Sequence, residues 1–561
     1  MRRPSALSAV LSFALLASLA GSPPAAADPV PANATWTQTW FPSQDGTMLR
    51  ADVFLPKNRQ PTDRHPVILS IGPYFGRNPL NHGAGESGPV LRFNDLITGG
   101  RIFDRGYAWV QVDSRGFGGS QGCNDFGGPG EQMDAEAAVN WAARQPWSNG
   151  RVGMWGKSYD AWTQVMALSE NPVGLKAAVI QAPLIETYRG MFMNGVHWDA
   201  GWYATPSLYA AYDLAPNVAG DSRPEEFLYP ATGTATNPHC YAENVAMTTQ
   251  YDHDLPYWQK RDIVDAAGRS DVPVLWSHGT NDVNTKPSNF LDVYSRLEGP
   301  KRVWFGQWAH DRGNEVNKVG RDGFLAEAMD WFDHYLKGLP LVEHPGGVIQ
   351  DQEGKWRREA SWPPADAAPH SFPVKPGAYS DDGENDADGG GNGTWTFTPP
   401  APYDLRFAGE PRLQVTVETQ VPNANLIGLL YDVAPNGNAR LLSRGAFLLE
   451  SEGQVAFNLF PQDAILRQGH RLGLLLSGSD DDLFNAIPTH TEVQVTAGSL
   501  TLGFLRYSRT PDLEGKPALA MARVPETAVS SATISANEVQ APYPPAPEPP
   551  PCPEFPDPCP A

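Results

Sequence analysis

A serine set on a sharp turn between a strand and a helix can be made into a nucleophile, because the turn pushes its hydroxyl out at the edge of a sheet. The segment Gly150–Ala161, GRVGMWGKSYDA, has that form. Val152–Trp155 is apolar and strand-like, Gly156-Lys157-Ser158-Tyr159 is the turn, and a helical pattern follows. The helix N-terminus then lies beside the charge that develops on an attacked carbonyl. Gly-Lys-Ser in this setting also looks like a phosphate-binding loop, but that motif spaces its two glycines by four residues. Gly150 and Gly156 are separated by five, and those five are strand-like. The strict G-x-S-x-G of a nucleophile turn is not met either, since its fifth position is Asp160.

An activated serine needs a base and an acid that orients the base, and after such a turn they follow in the order Ser, Asp or Glu, His. Downstream of Ser158, the apolar run Val272–Ser277 leads into His278-Gly279-Thr280-Asn281-Asp282. The next run, Lys301–Phe305, leads into Gly306-Gln307-Trp308-Ala309-His310. Asp282 and His310 thus fall just past the ends of two strands, at the edge where open α/β sheets carry their chemistry. His278 precedes the acid, His334 sits within a helical pattern, and Asp271 precedes its strand, so each is a weaker candidate. Ser158 is expected to be the nucleophile, His310 the base and Asp282 the orienting acid, in acyl transfer that needs no metal or organic cofactor.

The surrounding elements are those that such a site requires. From Trp36 to about Gly338, short apolar runs (Leu49–Leu55, Pro66–Ile71, Tyr107–Val112, Ala177–Ile180) alternate with helical patterns such as Met133–Ala143 and Tyr159–Leu168. That alternation predicts an α/β fold with a mainly parallel sheet. A stretch rich in Tyr, Trp, Pro and Gly, about 185–264, breaks the rhythm and reads as an insertion, a lid over the sheet. Beyond 340, short alternating strands take over, among them Arg412–Glu418, Asn425–Tyr431, Gln454–Leu459, Arg471–Leu476 and Thr491–Val495. They predict a β-sandwich or jelly roll over 341–540. The tail 541–561 is about half proline and is expected to be extended and unpacked. The acidic run from Asp381 to Gly393 lacks the spacing of a calcium loop and reads as a solvated loop.

Composition limits the partners. A chain of 561 residues is too long for one core, and its net charge of −21 argues against nucleic acid or an anionic membrane. Arg2 and Arg3, the apolar run Ala9–Leu19 and Ala25-Ala26-Ala27 read as a signal peptide (1–27) cleaved after Ala27. The run is too short to cross a bilayer, so a secreted protein starting at Asp28 is expected. Its catalytic unit would occupy 28–340. Four cysteines allow three pairings. Cys552 and Cys559 are near neighbours, and elimination leaves Cys123 with Cys240.

With these motifs assembled, the chain resembles the X-Pro dipeptidyl-peptidase and cocaine-esterase family of serine hydrolases, peptidase family S15. Ile71-Gly72-Pro73-Tyr74, Asp113-Ser114-Arg115-Gly116, Trp141–Ser158, His278–Pro287, Gly306–His310 and Trp356–Pro363 carry the resemblance. The family pattern G-x-S-Y-x-G is matched except at the last position, where Ala161 stands. The resemblance implies an α/β-hydrolase fold with a C-terminal jelly roll, and an oxyanion hole made by the Tyr74 hydroxyl and the Tyr159 N–H. It implies a small peptide or ester substrate. The loop Asn281–Pro287 resembles the family's peptidases more, so removal of X-Pro dipeptides is expected, with ester hydrolysis or acylase activity of the cocaine-esterase type as the alternative. A peptidase of this kind must hold a free ammonium, for which Glu186, Asp199, Asp213, Asp221, Glu225, Glu226, Asp252 and Asp254 are available. A carboxylate expected of the family's amino-ester hydrolases falls near Phe192 instead. From another class, a catalytically silent exported binding protein remains the alternative. Oligomeric state is not legible.

Overall fold

The computed structural model describes residues 30–550 apart from 76–88, 90, 199–237, 343–345, 384–392, 481–482 and 485. The expected signal peptide lies outside the described residues. The apolar runs become strands in chain order: β1 (Ala34–Pro42), β2 (Met48–Pro56), β3 (His65–Gly72), β4 (Ala108–Asp113), β5 (Ser148–Lys157) and β6 (Leu175–Gln181). Two short strands of the insertion, β7 (Phe192–Met193) and β8 (Val196–His197), form a hairpin. The main sheet resumes with β9 (Val274–Gly279), β10 (Lys301–Gly306), β11 (Gly347–Gln350) and β12 (Trp356–Glu359). Their order across the sheet is β1-β2-β4-β3-β5-β6-β9-β10-β11-β12. Neighbours from β4 to β11 pair in parallel, and the two ends are antiparallel. β3 and β4 are buried along their whole length, which is why they read as continuous apolar runs. Helices Pro129–Ala143, Tyr159–Glu170 and Phe324–Lys337 pack on the sheet. This is the α/β-hydrolase core.

The sheet does not stop where the sequence pattern changes. β11 and β12 come from beyond 340, so the boundary expected at 340/341 is crossed by the sheet itself. After it the chain forms a two-sheet β-sandwich. One sheet runs β20 (Gly453–Asn458), β17 (Arg412–Thr419), β23 (Glu492–Leu505), β16 (Leu405–Gly409), β21 (Gln462–Leu466), with β13 (Ala367–Pro373) and β14 (Gly377–Ser380) also on β23. The other runs β15 (Thr394–Phe397), β22 (Arg471–Ser477), β18 (Ala424–Val433), β19 (Asn438–Leu449), β24 (Glu526–Ala528). Leucines and valines of both inner faces fill the space between them.

Two expectations are corrected. Asp381, taken with the acidic run as solvated, is fully buried and accepts hydrogen bonds from the backbone and side chains of Asn425 and Thr489. It pins β18 to the chain ahead of β23, a role its acidic neighbours in the sequence hide. The tail is extended but not unpacked over 541–550. His370 Nε2 lies 3.0 Å from the Pro542 carbonyl, the Tyr543 hydroxyl donates to the Pro399 carbonyl at 2.9 Å, and Glu548 exchanges backbone hydrogen bonds with Arg506 and Ser508. Cys123 is disulfide-bonded. The side chain of Cys240 and both Cys552 and Cys559 lie outside the described residues, and so do the two expected pairings. Among the described residues no helix is long and apolar enough to cross a membrane.

Candidate active site

Ser158 sits where β5 turns into the helix Tyr159–Glu170, with φ 64° and ψ −122°. A non-glycine residue in that region is strained, and such strain persists only where surrounding structure holds it. Gly156 supplies part of that hold, because a Cβ there would come within 2.5 Å of the Asp160 Cβ and backbone oxygen. The Ser158 N–H donates to the Gln181 carbonyl at the end of β6 (3.0 Å), and Trp162 N closes the first helical turn on the Ser158 carbonyl (2.8 Å). Ala161 is fully buried within the helix that follows the turn. Tyr159, the first helical residue, drives its ring inward. Its hydroxyl donates to Glu131 Oε1 at 2.5 Å and accepts from Asn124 Nδ2 at 2.7 Å. Burial, with Asp125 adding, pushes Glu131 up to about 8.

Asp282 and His310 meet at the same sheet edge. His310 Nδ1 lies 2.8 Å from Asp282 Oδ2. The Thr285 hydroxyl donates to that oxygen at 2.9 Å, and the N–H groups of Asn284 and Thr285 both donate to Oδ1 at 2.8 Å. Burial alone would push the carboxyl up. The charge and hydrogen bond of His310, then His278 and the Thr285 N–H, win and hold it down at about 2. The two loops are zipped together: Thr280 N donates to the Gly306 carbonyl, Asn281 N to the Trp308 carbonyl, and Asn281 Nδ2 to the Gln307 carbonyl. Gly279 permits this approach, since a Cβ there would sit 2.0 Å from the Trp308 carbonyl oxygen. Gln181 ties this pair to Ser158. Its carbonyl takes the Ser158 N–H, and its Oε1 takes the N–H of Gly313, three residues past His310.

Of the weaker candidates, His278 is buried beneath the acid, its Nε2 3.0 Å from the Thr285 carbonyl and 3.7 Å from Asp282 Oδ2. Burial lowers its pKa and so favours the neutral ring. His334 caps its own helix end, with Nδ1 2.7 Å from the Leu339 carbonyl. Tyr74 follows β3 and is buried to 6% exposure. Two partners of the site were not visible in sequence. Thr285 could have been found, because an Asp three residues ahead of a Thr commonly closes its own turn. Gln181 could not, since only the parallel neighbourhood of β5, β6 and β9 brings it there.

The acids of the insertion separate. Glu186 is fully buried, and its oxygens take the N–H groups of Tyr188 and Arg189 at the start of a short helix, which gives it a structural task. Asp252 and Asp254 line a cavity of about 720 Å³ with Tyr188, Phe192, Tyr251 and Glu410. Asp199, Asp213, Asp221, Glu225 and Glu226 lie outside the described residues.

With this geometry in hand, known proteins match on both halves. The family model described as X-Pro dipeptidyl-peptidase (S15 family) matches residues 45–312, and the one described as X-Pro dipeptidyl-peptidase C-terminal non-catalytic domain matches 343–522. The chain belongs to the S15 hydrolase family. It is a serine hydrolase of the dipeptidyl-peptidase or esterase kind. A Streptomyces avermitilis protein provisionally named an Xaa-Pro dipeptidyl-peptidase is 24% identical over 578 residues, covering 84% of this chain and 81% of that one. The cocaine esterase of Rhodococcus sp. (strain MB1 Bresler) is 25% identical over 364 residues, covering 58% of this chain and 60% of the esterase. In fold, the CocE/NonD family hydrolase from Staphylococcus aureus superposes with a TM-score of 0.67 at 17% identity, over 87% of this chain and all of that one. A catalytically silent binding protein is set aside by this membership.

Proposed function

We propose that the protein is an exported serine peptidase that removes X-Pro dipeptides from free N-termini through an acyl-enzyme. The observation that carries the catalytic part is the pairing of His310 with the buried Asp282, joined through Gln181 to a serine on a strained turn. In this reading His310 takes the proton of Ser158 as its Oγ attacks the scissile carbonyl. Asp282 holds the imidazole by Nδ1 and favours the cation that forms. The oxyanion receives the Tyr74 hydroxyl and the Tyr159 N–H. His310 then gives its proton to the leaving amine, and water, deprotonated by the same ring, releases the dipeptide and restores Ser158. Export rests on the N-terminal sequence, with its short basic start, apolar run and small-residue cleavage site.

The peptidase reading is supported by the family models and by the Streptomyces relative. The likeness to cocaine esterase supports a second reading, hydrolysis of carboxylic esters. One comparison separates them: turnover of an Ala-Pro-anilide, its N-acetylated form and a simple aryl ester. Strong preference for the free amine is expected. Indifference to acetylation, or turnover of the ester alone, would move the protein to the esterases. In the same assay, loss of fluorophosphonate labelling in Ser158→Ala is expected. A mutant that still labels at full rate would remove Ser158 from the mechanism.

A further inference from the structure

The fifth position of the nucleophile turn holds Asp160, and this carboxylate is completely buried. A buried carboxylate is costly unless a cation or hydrogen bonds answer it. The answer comes from Arg92, whose Nε donates to Asp160 Oδ2 at 2.7 Å. The other oxygen, Oδ1, has no hydrogen-bond partner among the described residues. Asp160 is seated against two glycines. A Cβ on Gly156 would strike it from the strand side, and a Cβ on Gly72 would lie 1.8 Å from Oδ1. Gly72 is two residues ahead of Tyr74, so the carboxylate lies against the segment that presents the proposed oxyanion donor. The arginine completes the link, with its guanidinium carbon 3.7 Å from the centre of the Tyr74 ring. Arg92 is a quarter exposed while Asp160 is sealed, so the pair is anchored at its buried end.

We propose that Arg92, anchored by Asp160, is a positioning residue for Tyr74: its guanidinium holds the phenol ring in place and makes the hydroxyl a stronger donor to the oxyanion. The proposal rests on Tyr74 acting as that donor. A cation over the face of an aromatic ring is attracted by the ring's quadrupole and draws electron density away from its substituents. A flat guanidinium can lie on the ring and still direct one N–H to a carboxylate, which a lysine ammonium does less well. A phenol fixed before the reaction spends no reorganisation when the oxyanion forms. The buried acid two residues after the nucleophile thereby gains a purpose: it supplies the fixed point behind Arg92.

The test is a double-mutant cycle on the full chain, because residues acting through one another show non-additive losses. Arg92→Met should lower kcat about tenfold while KM stays within about twofold, a fraction of the 10²–10³ expected for losing the donor itself. In a Tyr74→Phe background the same change should cost less than about twofold. Asp160→Asn should reproduce the loss, and Arg92→Lys should fall between wild type and Arg92→Met. Equal losses with and without the Tyr74 hydroxyl would overturn the proposal, as would an Arg92→Met enzyme with wild-type kcat. Should Arg92→Met fail to fold by circular dichroism, Arg92→Lys in the same two backgrounds gives the same reading. If Tyr74→Phe alone leaves kcat unchanged while Ser158→Ala is inactive, the oxyanion role of Tyr74 falls and this proposal with it, and the triad stands. If Arg92 and Tyr74 prove additive while Tyr74→Phe is slow, only the role of Arg92 falls.

Discussion

At the scale of residues, Asp282 shows how a site sets its own protonation. Four donors converge on one carboxylate, and the resulting value of about 2 keeps it ionised at any pH above about 4. The acid limb of activity therefore belongs to the base, which works only when neutral. We expect wild-type kcat/KM to fall on the acid side with one ionisation, and Asp282→Asn to lower kcat by roughly 10⁴. A pH–rate profile of the wild type and steady-state kinetics of the mutant check this, and an Asp282→Asn enzyme of wild-type rate would contradict the pairing of Asp282 with His310. These three residue types in this order were legible because the chemistry demands them at strand ends. Asp160 was visible only as a break in a motif, since its partner Arg92 lies far away in sequence and no local pattern joins the two.

At the scale of elements, strands were readable where burial on both faces makes them plain apolar runs, as in β3 and β4. β19 was not, because Arg440, Ser443, Arg444 and Gly445 interrupt it. Those polar groups are answered inside the fold, Arg444 by Asp480 at 2.8 Å and the Ser443 hydroxyl by the Phe460 carbonyl at 2.6 Å. A period-two pattern cannot announce partners supplied by other strands. The insertion was legible as a break in rhythm but not as the hairpin β7–β8, whose four strand residues are too few to carry a pattern. The crossing of the acid and base loops is the element on which the site depends most. Gly279→Ala would drive a methyl group into the Trp308 carbonyl, and backbone does not yield as a flexible side chain does. A loss of at least about tenfold in kcat is expected, since small displacements of catalytic groups are costly. Steady-state kinetics beside a melting curve will separate it from global unfolding. Gly150→Ala, at a position with nothing within 4 Å, is the control: its positive φ is strained, but its loss should appear in Tm rather than kcat.

At the scale of the molecule, the two halves are joined by more than a linker. Arg357 on β12 donates through both terminal nitrogens to Asp463 on β21, at 2.9 and 2.5 Å, and Arg406 on β16 adds a third bond at 2.6 Å. Trp362 donates to the same carboxylate at 3.2 Å, and its ring lies 4.0 Å from that of Phe305 on β10. Burial raises the Asp463 carboxyl, and the two guanidiniums more than reverse this, holding it below its ordinary value. A depressed carboxylate contributes stability above its unfolded pKa and loses it as the pH falls through the folded one. The contribution is therefore complete at neutral pH and disappears only in strong acid. Asp463→Asn leaves buried guanidiniums without their counter-charge and should cost about 3–5 kcal/mol at pH 7. Urea titrations at pH 7 and in acid will measure both the loss and its shrinkage. A change in the sandwich that leaves the melting of the hydrolase core untouched would show that the halves are independent. The placement of β11 and β12 bears on how such proteins are rearranged by engineers and by recombination. A chimera joined at the visible change of pattern near 340 gives the incoming sandwich the task of finishing its host's sheet. Exchange should succeed only when the junction lies after 359 and a carboxylate of the incoming sandwich meets Arg357, so the working unit of inheritance is larger than the catalytic half.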